Sequence, residues 1–128
     1  MQFGYTIIYV TDVPATLNFY KDAFNLEQHF LHDSNQYGEL NTGNTKIAFA
    51  SNSLAQSNGV DFVKNDIKNN AAGFEIALIT QNTKEAYKHA VANGAVPVKE
   101  PVLKPWGQEV AYVRDLNGVI IEICSAMS

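Results

Sequence analysis

Glu122 is the one ionisable residue in an apolar run, Val119 to Cys124, that follows the turn Asp115-Leu116-Asn117-Gly118. A carboxylate flanked by Ile120, Ile121, Ile123 and Cys124 either points to the wet side of its sheet or is held for a purpose, because burying an unpaired charge is costly or forces a pKa shift. The purposes open to it are proton transfer and attraction of a cation. Cys124, two residues on, shares its face, and an anionic neighbour raises a thiol pKa, so packing rather than nucleophilic attack is its expected role. His29 and His32, three apart on an expected strand, point to opposite faces and cannot easily share a metal, while His89 lies on the polar side of a helix. Trp106, the only tryptophan, stands between Pro105 and Gly107, either as a packing plug or as a platform for a flat or cationic ligand. No phosphate-cradling glycine loop and no Ser-His-Asp order is present, which leaves nucleotide hydrolysis and acyl transfer without support.

These groups need elements to hold them. Phe3 to Val10 alternates as a strand, with Phe3, Tyr5, Ile7 and Tyr9 on one face and Thr6, Ile8 and Val10 on the other. Asp12 caps a helix that opens on Val13-Pro14 and carries Val13, Leu17, Tyr20 and Phe24 at helical spacing, to end at Asn25 in the left-handed cap position. Leu26 to His32, Tyr37 to Asn41 and Thr45 to Ser51 read as an antiparallel meander, because Asp33-Ser34-Asn35 and Thr42-Gly43-Asn44 separate them. Asn52 to Ala72 is polar and reads as a connecting arm with at most one irregular turn. Phe74 to Thr80 is again a strand, Asn82 or Thr83 caps a second helix that stops at Gly94, and Ala95 to Lys99, Gln108 to Arg114 and Val119 to Cys124 close the chain. Pro101, Pro105 and Gly107 predict a long connection between the first two of these. Asn117-Gly118 predicts a tight hairpin between the last two.

The second half therefore repeats the first. A shift of 70 residues lays Tyr5-Thr6-Ile7-Ile8 on Glu75-Ile76-Ala77-Leu78 and Asp12 on Asn82, and a shift of 74 lays Lys46 to Ser51 on Ile120 to Ser125. The fold class that follows is α+β, two βαβββ repeats forming mixed sheets with helices on the outside. The boundaries are repeat one at about 1–51, a connecting arm at 52–72 and repeat two at about 73–128, within a single domain. A lone repeat would leave one sheet face exposed, so the two pair within a chain or across a dimer.

At 128 residues with 46% hydrophobic content, the chain can bury a core without staples. A single cysteine suits a reducing compartment, and neither a membrane span nor a signal peptide is present, so a cytoplasmic protein is expected. The net charge of −4 and the scattered nine Lys and Arg residues argue against nucleic acid as a partner.

The opening strand followed by Asp12-Val13 and Phe19-Tyr20, the pair Asn93-Gly94, Pro105-Trp106-Gly107, and Arg114 to Gly118 with Ile121-Glu122-Ile123 together resemble the vicinal oxygen chelate superfamily. That superfamily includes glyoxalase I, bleomycin resistance proteins, fosfomycin resistance proteins and extradiol dioxygenases. The resemblance spans nearly the whole chain and implies a cupped site lined by strands of both repeats, where metal-dependent members hold a divalent cation with four side chains. Carried onto this sequence, those positions are Tyr5, Ala48, Glu75 and Glu122. Ala48 has no ligand atom and a protonated phenol is a poor ligand for zinc or nickel, so no tightly held metal is expected. Glu75 and Glu122 alone would hold a hard divalent ion only weakly.

The resemblance also makes Glu75 and Glu122 neighbours, so that repulsion raises one pKa and leaves one group able to act as an acid. The bland alternative is two solvated carboxylates, or carboxylates paired with a cation such as Arg114. The implied function is a small-molecule site in the cup of a homodimer, binding or sequestering an amphipathic or cationic compound against Trp106, Tyr5, Tyr9, Ala48 and the two glutamates. The alternative is a lyase or isomerase of the glyoxalase I type, in which Glu75 or Glu122 moves a proton next to a carbonyl.

Overall fold

The computed structural model of the protein describes residues 1–127. It divides into two compact units, Met1–Asn65 and the chain from Asp66 onward. The first contains β1 (Thr6–Val10), α1 (Val13–Phe24), β2 (Gln28–Leu31), β3 (Tyr37–Thr42), β4 (Thr45–Ser51) and α2 (Asn52–Ser57). The second contains β5 (Glu75–Ile79), α3 (Thr83–Ala92), β6 (Val96–Leu103), β7 (Glu109–Arg114) and β8 (Ile120–Cys124). Each unit holds one four-stranded mixed sheet, ordered β1-β4-β3-β2 and β5-β8-β7-β6. In both, the first strand runs parallel to the last and the remaining pairs are antiparallel.

The internal repeat extends to register. Thr6 pairs with Ile47 in the first unit and Ile76 with Ile121 in the second, which are the partners that shifts of 70 and 74 residues relate. The α+β architecture of two βαβββ sheets is therefore the one that the sequence predicts.

Each helix covers one face of its own sheet. In the first unit Asp12 accepts from the N–H of Ala15 at 3.0 Å, and Asn25 closes α1 at φ 56°. The helix buries Val13, Leu17, Tyr20 and Ala23 over Ile8, Val10, Leu40, Ile47 and Phe49, with the Tyr20 and Phe49 rings 5.0 Å apart. It crosses so close to β3 that a β-carbon on Gly38 would lie 2.7 Å from Leu17 Cδ1. In the second unit Asn82 rather than Thr83 caps α3, accepting from the N–H of Glu85 at 3.1 Å. That helix lies against β6, β7 and β8, whose inward residues Ala111, Val113, Ile121 and Ile123 are buried.

Strand alternation sends the other residues to the second face of each sheet. In the first unit these are Ile7, Tyr9, Tyr37, Glu39, Lys46, Ala48 and Ala50, and in the second Glu75, Ala77, Ile79, Tyr112, Glu122 and Cys124.

Three local expectations are corrected. Residues 100–103 continue β6 rather than forming a long connection, because an edge strand tolerates Pro97 and Pro101 where no ladder hydrogen bond is required of their nitrogens; the pairing with β7 shifts register there. The Asn117-Gly118 turn is not the doubly left-handed type, since only Gly118 has positive φ, at 86°. Asp115, almost fully buried, accepts instead from the N–H groups of Asn117 at 2.8 Å and Val119 at 2.9 Å. The arm is also more ordered than its composition suggests. Its start is α2, capped by Ser51, and Asn65 Nδ2 donates to Tyr9 O at 3.0 Å. Further along, Arg114 donates to Ile67 O at 3.3 Å and Asn69 O at 2.8 Å.

Candidate functional site

The helix-free face of the second sheet brings together an acid pair and a phenol. Glu122 sits on β8, directly across from Tyr112 on β7, and the Tyr112 hydroxyl donates to Glu122 Oε1 at 3.1 Å. Glu75 projects from β5, the parallel neighbour of β8, at the pair adjacent to Ala77 and Glu122. The Glu122 carboxylate is near enough to disfavour charge on Glu75. Two carboxyl groups in this relation resist ionising together, since like charges side by side repel.

The electrostatics follow from that arrangement. Partial desolvation at an otherwise exposed position, then the neighbouring Glu122, hold the Glu75 carboxyl above the usual carboxylate range. Burial and then Glu122 likewise raise the Tyr112 phenol, which keeps it a donor. Cys124, on the same face, is pushed up to about 11 by burial and then by Glu122, so it stays a neutral thiol at physiological pH. Arg114 does not neutralise the pair. Its guanidinium is spent on backbone carbonyls of Gly118, Ile67 and Asn69.

A proton held more tightly in the folded chain makes Glu75 favour the native state below its unfolded pKa, and this contribution is lost as pH rises through its folded pKa. Glu75→Gln is therefore expected to be at least as stable as the parent near neutral pH, with the advantage shrinking as pH falls towards the unfolded carboxylate value. Urea denaturation at neutral and acid pH checks this; an advantage that grew on acidification would contradict it.

The other residues that sequence singled out are distributed differently. Trp106 is 61% exposed, and its indole N–H donates to Gln108 Oε1 at 2.9 Å, while Gln108 Nε2 donates to Ser125 O at 2.9 Å. This fixes the ring at the β6–β7 hairpin with its faces available. Tyr5, Tyr9 and Ala48 belong to the first unit. Tyr5 is half exposed and interacts with the Tyr37 phenol. Tyr9 is packed on Phe62 of the arm, ring centroids 4.7 Å apart, and Ala48 is fully buried.

Two groups escaped the sequence reading, Tyr112 and the first-unit pair Tyr37–Glu39. A signal for both existed in the hairpins. Closing a hairpin between Asp115 and Val119 pairs Tyr112 with Glu122, and closing one between Thr42 and Thr45 pairs Glu39 with Ala48.

The four residues that the resemblance offers as cation ligands, Tyr5 and Ala48 in the first unit and Glu75 and Glu122 in the second, include no histidine and no cysteine. Among the described residues, no three His, Cys, Asp or Glu side chains converge where they could hold a metal ion.

Two βαβββ sheets, each with one face under a helix and polar groups gathered on the other, define the glyoxalase/bleomycin-resistance class of folds. The chain belongs to the glyoxalase-like domain family, whose model matches residues 3–128. Among solved structures it is similar to a glyoxalase-related enzyme from Fulvimarina pelagi, with a TM-score of 0.82 at 18% identity, over 98% of this chain and 88% of that one. A member of the glyoxalase/bleomycin resistance protein/dioxygenase superfamily from Sphaerobacter thermophilus gives 0.72 at 22% identity, over 98% of each chain. A glyoxalase/bleomycin resistance protein/dioxygenase from Nocardioides gives 0.78 at 14%, over 100% of this chain and 85% of that one. No curated protein matches the sequence. The superfamily resemblance seen in Asp12-Val13, Pro105-Trp106-Gly107 and Ile121-Glu122-Ile123 is borne out.

Proposed function

We propose that the helix-free face of the second sheet binds an amphipathic or cationic small molecule, with Glu122 as the charged anchor. The observation that carries this reading is the Glu75–Glu122 pair, an acidic spot that pairs with no cation among the described residues, with Glu122 held by Tyr112 beside apolar Ile79 and Ile120. An aromatic cation suits such a spot, because the carboxylates meet its charge and the apolar neighbours its ring. Trp106 adds an exposed aromatic face on the same unit and a built-in reporter.

Titration of Trp106 fluorescence with benzyltrimethylammonium, with benzyl alcohol as the uncharged control, tests the proposal. Saturable quenching by the cation alone is the expected result. Equal response to the alcohol, or none to either, would overturn it.

A second reading rests on the nearness of the two carboxyl groups. One carboxylate removes a proton next to a carbonyl while the protonated partner donates to the carbonyl oxygen, and the first group then returns its proton to the neighbouring carbon as the partner takes back a hydroxyl proton, a proton shift of the kind the glyoxalase I resemblance implies. Conversion of a glutathione hemithioacetal, lost in Glu122→Gln, supports this reading over simple binding.

The proposal includes a cytoplasmic homodimer that works without a tightly held metal. Leu103 is 69% exposed on the second unit, which a partner subunit would cover. Light scattering in dilute solution should give about twice 14.1 kDa, and the mass of one chain would remove the dimer. Micromolar zinc, nickel or cobalt should leave the melting temperature within about a degree, because a ligand stabilises only through its occupancy of the folded state. A rise of several degrees would show a donor set that these residues do not reveal.

A further inference from the structure

The edge strand β6 changes register twice against β7, and the changes fall on either side of Lys99. Val96 and Pro97 pair with Arg114 and Val113. The same register carried on would set Val98 across from Tyr112 and Lys99 across from the buried Ala111, on the face that α3 covers. One extra residue intervenes, and Lys99 stands across from Tyr112 instead. A bulge of this kind re-aims a side chain. Here it brings a lysine onto the helix-free face, in the row that runs Ala77, Glu122, Tyr112, Lys99 across the sheet.

Two strand spacings, about 10 Å, separate the backbones of Lys99 and Glu122. Tyr112 stands between them and gives its hydroxyl to Glu122. Lys99 is exposed and joins neither of the ion pairs among the described residues. The other cation set on this face by register, Arg114, is held by backbone carbonyls. One face therefore presents an acidic spot and a basic one, side by side, that do not neutralise each other. The next row is apolar: Ile79, Cys124, Val110 and Val102, with Ile79 70% and Val102 53% exposed at its two ends.

Taking the acid pair as the anchor for a cation, as proposed above, we infer that Lys99 determines specificity at this site: it receives the carboxylate of a zwitterion whose ammonium group meets Glu122 and whose apolar group lies on the row from Ile79 to Val102. The ligand class is then an apolar amino acid rather than a simple amine. A molecule carrying both charges satisfies both side chains at once, whereas a bare cation at Glu122 is repelled by Lys99.

Calorimetric titration of the full chain at neutral pH with phenylalanine and with phenethylammonium, which lacks only the carboxylate, tests this. The parent should bind phenylalanine about two- to fivefold more tightly, the range of an exposed ion pair. Lys99→Met should invert the preference, since phenethylammonium loses a repelling neighbour and the carboxylate of phenylalanine loses its partner. Lys99→Arg should restore the parent's preference. Equal binding of the two probes by the parent, a preference for phenethylammonium, or a preference for phenylalanine that survives in Lys99→Met would overturn the inference. If benzyltrimethylammonium binds in those cases, the proposed function stands without it. If neither probe nor benzyltrimethylammonium binds, both fall.

Discussion

Gly118→Ala is expected to cost the protein about 2–4 kcal/mol of stability, close to the largest loss a single methyl group can produce here. Gly118 lies at φ 86°, where a side chain strains the backbone by about 1–2 kcal/mol. A β-carbon there would also come within 2.5 Å of Arg114 Nη2, 2.9 Å of Ile67 Cα and 3.0 Å of Asp66 O. The arginine tip can swing aside, but the two backbone atoms move only if the arm moves. Displacing the arm breaks the hydrogen bonds from Arg114 to Ile67 O and Asn69 O, each a charge-assisted bond. Equilibrium urea denaturation should show a lower midpoint with a similar slope, and hydrogen exchange should show residues 66–69 opening first. A loss below about 0.5 kcal/mol would mean that the arm is not seated on this turn.

Glu122→Gln should reduce affinity for benzyltrimethylammonium by about tenfold or more, the loss expected when a charged partner becomes neutral. Stability should behave in the opposite sense. The amide oxygen still accepts from Tyr112, so the cross-strand hydrogen bond survives, and Glu75 loses the neighbour that disfavours its charge. The variant is therefore expected to fold at least as firmly as the parent near neutral pH. Glu122→Ala, by contrast, leaves the part-buried Tyr112 hydroxyl without its acceptor and should cost about 1 kcal/mol. Affinity and pH supply a further discriminator. In the parent, cation binding should strengthen as pH rises through the folded pKa of Glu75, when the pair goes from one negative charge to two. In Glu122→Gln the same titration of Glu75 occurs nearer the ordinary carboxylate range, so the binding profile should shift to lower pH. Calorimetric titrations across the acid range would show it, and an unshifted profile would detach Glu75 from Glu122.

What the sequence by itself determined is what depends on near neighbours along the chain. Alternation placed Ile8 and Val10 on one face of β1 and Tyr5, Ile7 and Tyr9 on the other; Asp12, Asn25, Asn82 and Gly94 marked the helix ends. The repeat supplied long-range information as well. Because Tyr5 aligns with Glu75 and Ala48 with Glu122, the two units' registers were implicit in the residue shifts, whereas the nearness of the two glutamates came from the family resemblance. What only the tertiary structure decided is which groups from separate segments complete one another. Pro101 read as part of a connection until β6 proves to be an edge, where a missing N–H breaks no ladder. Tyr9 acquires its ring neighbour Phe62, fifty-three residues away, only in the folded chain. The acid pair showed its orienting phenol, Tyr112, and Ala48 its cross-strand carboxylate, Glu39, only once β7 and β3 were laid beside the closing strands. Periodicity fixes the face on which a side chain stands, whereas its partner depends on strand pairing and arm packing, which chain entropy resists and only the summed burial of the folded units can impose.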